Sequence, residues 1–100
     1  MNKTNQKQYW KITGYDGLST LFEHKIYTGQ ISENKLKELL KALTSKISLS
    51  EEEIISSYAN KGTKIYFNHL EVQSLEGNKP MYSCGTNPYV TAVIEYESNQ

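Results

Sequence analysis

Apolar and polar residues alternate at both ends of the chain, and in the middle they follow a helical period. The clearest helical stretch is 32–46, where Leu36, Leu39, Leu40 and Leu43 fall at i, i+3, i+4 and i+7 on one stripe. Ser32 suits an N-cap, and Glu33 in the first turn agrees with the helix dipole. Burying these leucines contributes about 1.5–3 kcal/mol each, so this helix is expected to form the main apolar wall of the core. A second start signal follows at Ser50-Glu51-Glu52-Glu53, a capping box with Leu49 and Ile54 placed as a hydrophobic staple. Its apolar side carries Ile54, Ile55 and Tyr58, and Gly62 is the expected residue just past its end. Three consecutive acids exclude an anion site at that N-terminus.

Residues 8–14 and 18–28 alternate as two strands of a hairpin around Tyr15-Asp16-Gly17. A two-residue Asp16-Gly17 turn pairs Tyr15 with Leu18 and puts Trp10 and Ile12 opposite Phe22. A three-residue loop with left-handed Gly17 pairs Gly14 with Leu18, gathering Trp10, Ile12, Leu18, Phe22 and Ile26 on one face. A single buried face sets register, so the three-residue loop is expected. It turns His24 inward as a hydrogen-bonded core histidine. Tyr9, Lys11, Thr13, Leu21, Glu23, Lys25 and Tyr27 fall on the other face.

The second half reads as a strand over 68–75, with Leu70 and Val72 on one side, a loop over 76–80 and a short strand over 81–84. A turn at Gly85-Thr86-Asn87-Pro88 leads into a last strand over 89–97, where Val90, Ala92, Ile94 and Tyr96 alternate with polar neighbours. Residues 63–67 fit either a helix extension or a strand. The expectation is an α+β domain over 8–97 behind a disordered tail at 1–7, with element order ββααββ. Its antiparallel sheet of four to five strands has both helices packed on one face.

Composition narrows the chemistry. Charge is balanced at eleven basic and eleven acidic residues, and every basic residue is Lys. Arg supplies the planar fork that grips phosphate or a guanine edge, so a sequence-specific nucleic-acid reader is not expected. Lys35, Lys37 and Lys41 make a basic stripe on the leucine helix, but Glu33 and Glu38 interrupt it, and a solvated face accounts for it better. No run approaches membrane-spanning length and Cys84 is alone, which favours a cytoplasmic protein. Close metal-ligand spacings and phosphate-cradling glycine loops are lacking, so neither a metal nor a cofactor is expected.

Two groups of residues carry candidate chemistry. The segment Tyr82-Ser83-Cys84-Gly85-Thr86-Asn87-Pro88-Tyr89 holds a thiol, hydroxyls, a carboxamide and two phenols beside a glycine. Read functionally, Tyr82, Cys84, Thr86, Asn87 and Tyr89, with His69 from a neighbouring strand, form a ligand site. Read structurally, the segment is a tight turn. A thiol enzyme with Cys84 as nucleophile, His69 as base and Glu71 orienting it is the alternative. Tyrosine is in excess at eight residues, and recognition surfaces favour it. The leading expectation is therefore a non-enzymatic binding module. It acts through an exposed sheet face at Tyr9, Lys11 and Tyr27 or through the Cys84–Tyr89 loop. Its partner is a protein or a second copy, and a variant sequesters a small polar or nucleotide-like ligand.

Overall fold

The computed structural model describes residues 6–75, 77 and 80–98. In chain order the elements are β1 (Gln6–Asp16), β2 (Ser19–Tyr27), α1 (Glu33–Ser48), α2 (Glu51–Tyr58), β3 (Val72–Leu75), β4 (Met81–Gly85) and β5 (Tyr89–Ser98). The strands form one antiparallel sheet in the order β2-β1-β5-β4-β3. This is the expected α+β class, with the fifth strand present. β1 begins at Gln6, inside the stretch expected as a tail, and the rest of that stretch, 1–5, lies outside the described residues. So do Glu76, Asn78 and Lys79 of the 76–80 loop.

Alternation decides which face is buried. Trp10, Ile12, Val90, Ala92 and Ile94 on the central strands join Tyr82 and Cys84 of β4 under Leu36 and Leu40 of α1. The leucine stripe continues into Thr44, also fully buried, and Leu39, Leu43 and Ile47 flank it. Ser32 caps α1 as its sequence indicates, its hydroxyl accepting from the Lys35 N–H at 3.2 Å. At the same end the Tyr82 phenol donates to Glu33 Oε1 at 2.5 Å, fastening the first helical turn to β4.

The hairpin reaches the expected face by a different device. Asp16 pairs with Ser19 around a two-residue Gly17-Leu18 turn, with Gly17 at φ +62°. Left alone, that turn sends Phe22 to the wrong side. A register shift between Gly14 and Tyr15 corrects it: Tyr15 pairs with Thr20, Gly14 pairs with Phe22, and Leu21 is the extra residue of a β-bulge. Gly14 leaves room for the Phe22 ring, since an added Cβ would sit 2.5 Å from it.

Leu18, expected inside, is fully exposed at the turn tip. His24 follows Phe22 and Ile26 onto the helix side yet is exposed, with its ring 5.8 Å from that of Phe22. It is not a core histidine, because α1 packs over β4 and β5 and β2 projects beyond its reach.

Other expectations shift as well. The capping box of α2 is present, with Ser50 N–H donating to Glu53 Oε1 at 2.8 Å and Glu53 N–H donating to Ser50 Oγ at 3.2 Å. The helix then stops at Tyr58, with Ala59 extended and Gly62 outside the left-handed region. None of its residues is buried, so α1 alone forms the helical wall of the core. Residues 63–67 form neither helix nor strand, with a turn at Lys64-Ile65, and β3 starts at Val72 because backbone amides before it are engaged by side chains. Leu70 N–H donates to Asn68 Oδ1 and His69 N–H to Ser57 Oγ, diverting those amides from a ladder.

Candidate functional site

The sheet face away from α1 carries half of the tyrosines. Register places Tyr9, Lys11, Thr13 and Tyr15 of β1 beside Glu23, Lys25 and Tyr27 of β2, and opposite Tyr89, Thr91 and Val93 of β5. Met81 and Leu75 continue the Val93 row across β4 and β3. The rings of Tyr15 and Tyr89 stack at 5.1 Å, and those of Tyr9 and Tyr27 meet edge-on at 6.3 Å. Thr13 and Thr91 face each other between these pairs and are buried, while among the described residues no helix packs on this side.

All three residues expected at an interface, Tyr9, Lys11 and Tyr27, therefore share this face. Sequence reasoning missed Tyr15 and Val93. Extending the β1 alternation past Gly14 would have found the first.

One corner of the face is knit together. Lys25 Nζ donates to Glu97 Oε2 at 2.8 Å and stands 4.8 Å above the Tyr9 ring, and the Tyr27 hydroxyl donates to Glu97 Oε1 at 2.6 Å. Hydrogen bonds from Lys25 and Tyr27 hold the Glu97 carboxyl below its ordinary pKa. The same carboxylate raises both the Lys25 ammonium and the Tyr27 phenol. Exposed networks of this kind add little stability. Their effect is to hold the two rings and the ammonium in one orientation.

The six residues expected as a ligand site do not converge. Tyr82 and Cys84 point into the core, and Tyr89 stacks on Tyr15 on the opposite face. His69, Thr86 and Asn87 do come together, lining a cleft of about 360 Å³ with Phe67 and Pro88. The turn itself is built as structure. The Asn87-Pro88 peptide is cis, Gly85 lies at φ +94°, and Asn87 Oδ1 accepts from the Gly17 N–H at 2.8 Å, tying this loop to the β1–β2 turn.

Cys84 is 1% exposed and sits beside Thr44, whose hydroxyl donates to the Cys84 carbonyl at 3.3 Å. Burial pushes its thiol pKa up, offset only in part by Thr44 and by the charge of Lys41. A nucleophilic cysteine needs the opposite, an accessible and electropositive setting. His69 stacks edge-on with Phe67 at 4.6 Å, and Glu71 is exposed beyond it.

Of the lysines on α1, Lys35 is exposed and Lys37 and Lys41 are half-buried. Lys35, Lys37 and Lys41 form one wall of a cleft of about 770 Å³, and Lys61 and Tyr66 face them from the segment after α2. Lys61 and Tyr66 carry no sequence signal for this, since only the return of the 59–71 segment brings them near α1. Among the described residues no group of His, Cys, Asp and Glu is placed to hold a metal ion, and no helix is long and apolar enough to cross a membrane. No protein-family model, curated protein or solved structure matches this chain.

Proposed function

We propose that the protein is a non-catalytic binding module whose contact surface is the sheet face opposite α1, and that a second copy of the chain is its first partner. The observation behind this reading is the pair of cross-strand tyrosine contacts on a face that no helix among the described residues covers. Tyrosine offers broad apolar area at low entropic cost. Here Val93 lies opposite Lys11, in a row between those of the two aromatic pairs, and Met81 beside it on β4 extends the apolar surface.

The same face carries Lys7, Lys11 and Lys25 together with Glu23, Glu95 and Glu97. Equal numbers of both signs suit a self-complementary, two-fold contact and disfavour a polyanion such as nucleic acid. A thiol enzyme is the weaker reading, because Cys84 is buried with a raised pKa.

Sedimentation velocity across a wide concentration range tests the proposal. The expected result is a monomer–dimer equilibrium that Val93→Glu abolishes without loss of the folded circular-dichroism signal. A chain that stays monomeric into the millimolar range, or a dimer indifferent to Val93→Glu, overturns it.

A further inference from the structure

Beyond the sheet face, the helix side holds a second feature with its own chemistry. On α1, Asn34, Lys37, Glu38 and Lys41 repeat the i, i+3, i+4, i+7 spacing of the leucines on a different stripe, and all four line the 770 Å³ cleft. Lys35 joins them from the first turns, and Lys61 closes the far side.

Four ammonium groups meet two carboxylates in this cleft, those of Glu38 and Glu71, leaving two positive charges in excess. Lys41 is drawn toward Glu38 at 3.5 Å, and Lys37 lies 5.3 Å above the Tyr82 ring. Lys35 and Lys61 form no ion pair among the described residues. Gathering unpaired like charges around a concavity costs repulsion that an anion relieves. The floor and far wall are of another character, with the buried Leu70, the half-buried Val72 and the Tyr66 ring.

We propose that this cleft binds a small phosphate monoester with an organic body, a nucleoside monophosphate in class. A phosphate monoester carries about −1.5 to −2 charge at neutral pH, which matches the excess of the lysines. The volume lies within the roughly 300–1,000 Å³ range of small-molecule sites, more room than a bare ion fills. Leu70, Val72 and Tyr66 offer the body an apolar and aromatic wall, and Asn34 and Asn68 supply carboxamides at the rim. Lysine serves here as a point charge on phosphate, a role that does not need arginine's fork. This site is separate from the sheet face, so its failure leaves the binding-module reading standing.

Isothermal titration calorimetry with AMP, GMP, CMP and UMP, with adenosine and with inorganic phosphate tests the proposal. At least one monophosphate is expected to bind more tightly than inorganic phosphate, with adenosine weaker still and affinity falling as salt rises. Lys37→Ala and Lys61→Ala are each expected to weaken binding by about tenfold or more. Lys46→Ala, an exposed lysine outside the cleft, is expected to leave it unchanged. Circular dichroism confirms that each variant is folded. The proposal is overturned if no monophosphate binds, if inorganic phosphate binds as tightly as every nucleotide, or if Lys37→Ala and Lys61→Ala match Lys46→Ala.

Discussion

Gly85→Ala and Gly17→Ala make a matched pair that isolates what the Cys84–Tyr89 turn does. Both glycines have positive φ, +94° and +62°, so alanine is strained at each, at about 1–2 kcal/mol. A stiffer unfolded chain returns about 0.4–1 kcal/mol in both variants. Their surroundings differ. Nothing lies within 4 Å of a Cβ built on Gly17, whereas one on Gly85 meets the Pro88 carbonyl oxygen at 2.9 Å, Thr44 Cγ2 at 2.9 Å and Tyr89 Cα at 3.2 Å. Two of these atoms are backbone and the third belongs to a fully buried side chain, so none can swing aside. Overpacking of this kind costs about 1–3 kcal/mol.

Gly17→Ala is therefore expected to lose no more than about 1.5 kcal/mol, and Gly85→Ala to lose about 1–3 kcal/mol beyond that. Urea denaturation monitored by fluorescence gives both values, provided the m-values agree. A Gly85→Ala variant as stable as Gly17→Ala would refute the claim that this turn is clamped between α1 and β5.

Other expectations follow from single contacts. Tyr82→Phe removes a hydroxyl donated to a carboxylate and should cost about 1.5 kcal/mol in the same assay, the low end for such bonds because exposed Glu33 rehydrates. Cys84 should resist iodoacetamide in the native protein at pH 8 and react fully once unfolded, and rapid native alkylation would contradict its burial. The corner network has a defined pH window. Glu97 has a depressed folded pKa, so its contribution is present above the ordinary carboxylate value and lost as pH falls through the lower one. Lys25 and Tyr27 are raised, so theirs is present below their ordinary values and lost as pH climbs toward the raised ones. The Tm difference between the native chain and Glu97→Gln should thus be constant from pH 6 to 8 and shrink toward both extremes.

Much of this architecture was legible because single residues obey strong local rules. The leucine stripe, the Ser32 cap and the Ser50–Glu53 capping box are all where their spacing puts them. The hairpin illustrates a weaker kind of inference. Requiring one buried face put Trp10 and Phe22 together correctly, but the turn and the Leu21 bulge that accomplish it leave no trace in composition. His24 marks another boundary, since alternation assigns a face without saying whether a helix lies over that part of it. For the same reason Tyr82, Cys84 and Tyr89, neighbours in sequence, end on two sides of a sheet. Lys61 and Lys37 could not be joined by reading along the chain at all. Their meeting depends on where α2 ends, and that end came four residues before the glycine expected to follow it.

Lysine labelling read by mass spectrometry addresses the contact surface directly. As protein concentration rises, Lys11 and Lys25 on the bare sheet face should become slower to acetylate while Lys46 at the end of α1 stays constant. Equal labelling of all three at every concentration, or protection confined to the helix side, would contradict the account.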